Sequence, residues 1–388
     1  MKTARLKPSR RSDIVSQSEI RAMSVACERV GGINLSQGVC DTEVPEVVRR
    51  AAQQAIDEGT NSYTRCDGLH ELRRALARHL QAHRGLAFDP ETEVVVSAGA
   101  TGALYCAAFA LLEPGDEVIL FEPYYGYHVQ TLLAAGAVPA FVELRVPNWS
   151  LRREDLERAV TRRTRAVLVN TPANPSGKVF SRAELEWIAS FATEYDLFVF
   201  TDEIYEHFLF DGRQHTSPAA LPGLAERTIT ISGLSKTFGI TGWRIGYAAC
   251  RSQWARPIAQ MNDLVYVCAP APFQQAVARG LDALGPDYYA GLRAEYTAKR
   301  DLICAALDAA GLPPHVPEGA YYVLADVSRL AGATSKARAM NLLETTGVAT
   351  VPGEAFFRGP EGHALTRLCF AKPAADLEEA CRRLRGLG

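Results

Sequence analysis

Residues 231–246 read ISGLSKTFGITGWRIG, and what surrounds such a run decides the fold. The apolar, β-branched residues 228–231 (TITI) make a short strand, and Ser232 and Gly233 end it. A turn of small residues then presents Lys236, and Arg244 stands eight residues further on. Strand ends of open α/β sheets are where ligands gather. A lysine there forms an imine with an aldehyde once its surroundings lower its pKa. Arg244 and the Ser235 hydroxyl suit a phosphate. A surface lysine following a strand would look the same in these residues alone.

Outward from this run, further apolar bursts recur at 93–97 (EVVVS), 117–121 (EVILF), 166–170 (AVLVN), 197–201 (LFVFT) and 246–250 (GYAAC). Helical stretches alternate with them; residues 182–195 carry Leu185, Ile188, Ala189 and Ala192 at helical spacing. Short, doubly apolar strands alternating with helices imply an α/β fold, a mainly parallel sheet covered on both faces. Pro114-Gly115 and Asp211-Gly212 mark turns. After Pro286 the pattern changes to a long helix at 288–311, a strand-rich run at 319–327 and a helix near 377–387. The expected organisation is an N-terminal arm that joins the small domain (1–45), a large domain (46–290) and a small C-terminal α/β domain (291–388).

The 388 residues suffice for two packed lobes, and 47% hydrophobic with 22% charged residues is a globular composition. A formal net charge of −2 gives nucleic acid or an anionic membrane no general attraction. Nine cysteines without a Cys-x-x-Cys pair argue against a disulfide framework or zinc ribbon and for a reducing, cytoplasmic setting. The basic N-terminus (Lys2, Arg5, Lys7, Arg10, Arg11) precedes no apolar stretch, so neither a secretory signal nor a membrane span is expected. There is no His-Glu-x-x-His, no metal spacing and no Gly-x-Ser-x-Gly, and the eight histidines show no grouping beyond ordinary placement.

Several other strand ends carry chemistry. Asp202 follows 197–201, with Tyr205 three residues on; a carboxylate there is costly unless paired, although an N-cap aspartate beside an exposed tyrosine reads equally well. Asn174 lies in 171–177 (TPANPSG), which by itself is a turn. Residues 97–102 (SAGATG) open a helix with small residues, as an anion site requires, and match neither a dinucleotide fingerprint nor a P-loop. Arg367, in 364–370 (ALTRLCF), is an arginine among apolar neighbours, which either meets an anion or snorkels from an edge strand.

The run from Gly233 to Gly246 resembles, position by position, the lysine-attachment signature of the class I aminotransferases of the fold-type-I pyridoxal-phosphate superfamily, and the other motifs follow in the expected order from about residue 33 onward. The resemblance implies a large domain with a seven-stranded, mainly parallel sheet sandwiched by helices, as in aspartate aminotransferases, and a smaller α/β domain. It implies pyridoxal 5′-phosphate held as a Schiff base on Lys236, which then acts as general base. Asp202 would pair with the pyridinium nitrogen and Tyr205 with the phenolic oxygen. Ala100, Thr101, Ser235 and Arg244 would form the phosphate cup, and Tyr125 would stack on the ring where Trp or Phe is commoner. Asn174, Arg367 and Gly38 would line the substrate carboxylate site. Tyr63 would reach the neighbouring subunit's phosphate site in a homodimer; an exposed loop tyrosine is the plain alternative. The chain departs from the family where Gly38-Val39-Cys40-Asp41 replaces the usual Gly-x-Pro-Asp, which leaves that segment's path open.

The implied reaction is ping-pong transfer of an amino group from an L-amino acid to a 2-oxo acid. A carbon–sulfur lyase or related eliminating enzyme on the same residues is the alternative. A ligand-sensing aminotransferase-like domain is more remote, since no DNA-binding segment fits the short N-terminus. Thr101 stands beside the cofactor instead of a basic residue, which favours neutral or aromatic donors, and no second cation for a distal carboxylate can be placed from sequence.

Overall fold

The computed structural model describes residues 6–9, 12, 19–40 and 42–387. Asp41 and much of the basic N-terminus lie outside them. A short strand β1 (Ile33–Asn34) precedes the main sheet, whose strands are β2 (Val94–Ala98), β3 (Glu117–Glu122), β4 (Val138–Glu143), β5 (Thr164–Asn170), β6 (Phe198–Asp202), β7 (Thr228–Gly233) and β8 (Ile245–Ala249). Their spatial order is β2-β8-β7-β6-β5-β3-β4. All pairings are parallel except those of β8, which runs antiparallel to both β2 and β7.

Central strands such as β3 and β7 are buried along their whole length, because helices cover both faces of the sheet. The helix Arg182–Glu194 shows how sequence fixes one of these covers. Ser181 and Glu184 form a reciprocal capping box at its start, and Leu185, Ile188, Ala189 and Ala192 are buried. Strand β4 was not foreseen; it contains Pro139, and it sits at the sheet edge, where a missing N–H is tolerated.

Beyond the long helix Pro286–Ala309 lies a four-stranded antiparallel sheet built from β9 (Pro314–His315), β10 (Tyr322–Asp326), β12 (Val351–Pro352) and β13 (Leu365–Cys369). The intervening strand β11 (Val348–Ala349) pairs in parallel with β1, which ties the N-terminal segment to this C-terminal part. Strand β13 is flanked by β10 and β12, with Arg367 opposite Leu324 on one side and Val351 on the other.

Register explains how the chemistry comes together. Asn170 pairs with Asp202, and Asp202 with Ile231, so β5, β6 and β7 finish at one edge. At that edge β2 runs into the helix Gly99–Leu111, and the return strand β8 begins directly after Arg244.

Candidate active site

A cavity of about 650 Å³ opens at this edge. Every residue singled out from the sequence lines it except Tyr63, which is 82% exposed and stands elsewhere. Lys236 Nζ donates to the Gly38 carbonyl (3.1 Å), which also accepts from Tyr321 Oη (3.2 Å). Burial pushes the Lys236 ammonium below its ordinary pKa; the Cys40 and Cys369 thiols oppose this and Arg244 adds to it.

Asp202, at the end of β6, accepts from His128 Nε2 (2.8 Å) through Oδ2 and from the Ile204 N–H (3.2 Å) through Oδ1. His128 is buried, and its ring meets Tyr125 edge-on at 5.2 Å. The hydroxyls of Tyr205 and Tyr322 share a hydrogen bond of 3.0 Å. Burial holds both above the ordinary tyrosine pKa, so both stay protonated.

Opposite them, Arg367 is fully buried. Its Nη1 donates to Asn174 Oδ1 (2.9 Å) and its Nη2 to the Ser36 carbonyl (2.5 Å), while Nε has no partner. The guanidinium lies over the Tyr322 ring at 4.3 Å, and among the described residues no carboxylate pairs with it. A buried cation without an anion is a costly state that an anionic ligand relieves.

The phosphate end is a cradle of close approaches. Gly99 has φ +76° and starts the helix Gly99–Leu111; a Cβ there would lie 2.3 Å from Arg244 Nη2. A Cβ at Gly246 would lie 2.3 Å from the Ala100 nitrogen. Arg244 adopts φ +57° and is steadied by the Thr241 carbonyl (2.8 Å). Helix N–H groups, the Ser235 and Thr101 hydroxyls and a guanidinium thus converge, a donor set for a phosphate. With a buried lysine whose pKa burial lowers and a strand-end carboxylate held in place, these residues fit pyridoxal phosphate.

The family model for aminotransferase class I and II matches residues 30–384. The chain belongs to the class I and II aminotransferases. It is 40% identical over 374 residues to the probable N-succinyldiaminopimelate aminotransferase DapC of Mycobacterium tuberculosis, covering 93% of this chain and 94% of the relative. To the aspartate aminotransferase of Pyrococcus abyssi it is 36% identical, covering 97% of each. The solved N-succinyldiaminopimelate aminotransferase of M. tuberculosis superposes with a TM-score of 0.95 at 39% identity, covering 98% of this chain and 100% of that one. The protein is therefore a pyridoxal-phosphate-dependent aminotransferase of aspartate-aminotransferase-like fold. The eliminating alternative finds no support in these comparisons.

Several residues of this aminotransferase's cavity escaped the sequence reading. His128 follows Tyr125 by three positions in the first turn of a helix, so its reach to Asp202 needed the fold. Tyr322 stacks on Arg367 from a strand 45 residues earlier, which no local signal could announce. A second cation, Arg21, lines the cavity from the helix Glu19–Arg29, and no ion pair engages it among the described residues. Glu28 of the same helix also lines it. Cys40, where the family has proline, is buried against Tyr296 Oη (2.9 Å), and its thiol also reaches the Lys236 carbonyl (3.5 Å).

Four of the eight histidines are grouped, contrary to the expectation from sequence. His79, His83 and His207 stack together, and His215 joins the same carboxylates through Glu203. His79 and His83 are one helical turn apart, a spacing visible in the sequence; His207 and His215 arrive only through the fold.

Proposed function

We propose that Lys236 is the residue that holds the cofactor covalently and moves the substrate's Cα proton. The observation that carries this reading is the placement of a buried lysine amine, lowered in pKa, in one cavity with Asp202, Arg244 and Arg367. When bound, pyridoxal phosphate supplies an electron sink for the carbanion at Cα.

The chain's own residues divide the remaining work. Arg367, with Asn174 and the Gly38 backbone, binds the α-carboxylate, and the carboxylate takes up the charge that Arg367 now buries alone. That contact fixes the Cα–H bond relative to Lys236 Nζ, which takes the proton and returns it one carbon away. Asp202, oriented by His128, holds a proton on the ring nitrogen. Tyr205 and Asn174 bind the phenolic oxygen, and Tyr125 stacks on the ring. Ala100, Thr101, Ser235 and Arg244 anchor the phosphate. Tyr63, exposed on this chain, completes the phosphate site of a second copy in a cytoplasmic homodimer. The division at residues 45 and 290 into a cofactor lobe and a smaller lobe belongs to the same reading.

The substrates are an L-amino acid and a 2-oxo acid. Arg21 favours donors with an anionic far end over the neutral or aromatic donors that Thr101 favours on sequence grounds; relatives named for N-succinyldiaminopimelate and aspartate, at 40% and 36% identity, agree with that order, and those named for aromatic amino acids and methionine, at 34% and 33%, do not. The test is a panel of amino donors against 2-oxoglutarate and pyruvate. Consumption of the oxo acid with each donor supports transamination; keto-acid and ammonia release that needs no oxo acid overturns it.

A further inference from the structure

Glu206 and His207 line a second cavity, of about 560 Å³, together with His83 and His215, and this cavity shares no lining residue with the first. Behind it Arg84 is buried between Glu203, 2.9 Å from Nη1, and Glu206, which it grips through both oxygens. Glu203 also meets His215 Nε2 (2.6 Å) and the Thr201 and Ser217 hydroxyls, whereas Glu206 adds only a long contact from the Ser232 hydroxyl (3.4 Å), so its charge leans chiefly on the one guanidinium that both carboxylates share.

The imidazoles of His79 and His207 stand beside that charge. Their Nε2 atoms are 3.3 Å apart, and His207 Nε2 is 3.9 Å from Glu206 Oε1. Among the described residues this trio alone gathers three metal-ligating groups, all three atoms lying within 4.8 Å of one another. Two nitrogens held at about 2.0–2.1 Å from one tetrahedral zinc stand roughly 3.3 Å apart. Burial also favours neutral imidazoles at both positions, the form that binds metals. The Tyr289 ring lies 4.4 Å from His207, and its buried hydroxyl has no hydrogen-bond partner, so the cluster holds a polar group still unmatched.

We propose that His79 Nε2, His207 Nε2 and Glu206 Oε1 bind a divalent transition-metal ion of the zinc class, entered from the second cavity, with water as the remaining ligand. The ion adds positive charge beside Glu206, and on Glu206 Oε1, which Arg84 also grips, it takes the place of the long Ser232 contact (3.4 Å). It braces the segment 202–207, which also carries Asp202 and Tyr205 toward the cofactor cavity. A plain N–H···N hydrogen bond between the two imidazoles is the competing account.

The test is equilibrium dialysis of the holoenzyme against Zn²⁺ alone. Wild type takes up one equivalent per chain, His79→Gln and His207→Gln each lose it, and His70→Gln, at the far end of the same helix, keeps it. Nine free cysteines offer rival ligands, so Co²⁺ serves as a second probe. Visible d–d bands without thiolate charge transfer support the site. Anomalous scattering from Zn²⁺-soaked wild-type crystals locates the ion even if a variant does not fold. No uptake, equal uptake by the Gln variants, a thiolate signature, or an ion away from His79 and His207 overturns the proposal.

Discussion

Arg367 Nη1 donates to Asn174 Oδ1 at 2.9 Å, a bond that joins the middle strand of the small sheet to the turn after β5, 193 residues apart in sequence. Through it the small sheet contributes the buried Arg367 guanidinium to a cavity built mostly at the edge of the large one. Arg367→Ala is expected to lower kcat/KM by about 30- to 150-fold, since a buried charge-assisted pair is worth roughly 2–3 kcal/mol. Asn174→Ala should cost about tenfold, removing the acceptor that holds the Arg367 guanidinium in place. Steady-state kinetics with a single donor checks both, and an Arg367→Ala enzyme of near wild-type kcat/KM would remove the carboxylate from this site.

Lys236→Ala is expected to abolish turnover. Borohydride treatment in excess cofactor should add the cofactor's mass to the wild-type chain and leave the variant's mass unchanged. The pH dependence has a definite sign. Burial lowers the Lys236 pKa, so the neutral amine is available well below the pH at which a free lysine deprotonates. The acidic limb of the rate profile should therefore lie below the ordinary lysine range, and a limb near pH 10 would contradict it.

Asp202 and His128 should behave as a unit. Asp202→Asn removes the carboxylate proposed to face the ring nitrogen and is expected to cost on the order of 10²–10³ in kcat. His128→Gln leaves that carboxylate but removes the donor that orients it, at a cost of about tenfold. The double variant should be little worse than Asp202→Asn alone, because His128 acts through Asp202. Additive losses in the kinetic double-mutant cycle would separate the two residues.

Arg21 gives the substrate reading its sharpest test. If it meets the far anionic end of the donor, Arg21→Gln should raise KM for acidic donors about two- to fivefold, the value of one exposed charge pair, and change KM for methionine or phenylalanine much less. Equal effects on both classes would return the choice to the neutral donors.

The parts of this molecule that were legible in its sequence are those whose meaning is local. The run around Lys236 is one strand, one turn and the start of another strand, and its residue types state the chemistry directly. Each of the six apolar bursts appears as a strand, five of them inside the sheet and β2 at its edge. Strand β4 was hidden because Pro139 makes it read as a break, a penalty that vanishes at an edge. The second tier of the site was hidden for a different reason. His128, Tyr322 and Arg21 matter there, as the His79–His207 pair does outside the site, through partners far along the chain, and single residues at ordinary helical or strand positions carry no mark of such partners.

Glu184 links this local legibility to stability. Its carboxylate caps the helix Arg182–Glu194 through Ser181, accepts from the Leu151 N–H (2.9 Å) and pairs with the buried Lys178 (2.8 Å). Burial pushes its pKa up, but the Lys178 ammonium and the Leu151 and Ser181 N–H groups outweigh that, and the net shift is downward. A carboxyl whose folded pKa is depressed stabilises the fold above its unfolded pKa and loses that contribution as pH falls through the folded value. The expected acid limb of stability thus begins near the ordinary glutamate range, about pH 4–5, and continues below it. Glu184→Gln keeps the shape, loses the charge that matches Lys178, and should cost about 1–3 kcal/mol at neutral pH. It should also flatten the acid limb, since the variant has no proton to take up there. Urea midpoints of wild type and variant measured from pH 7 to 2 decide the matter: curves that stay parallel over that range would show that Glu184 holds no depressed pKa, and that the capping box is stabilised by its hydrogen bonds alone.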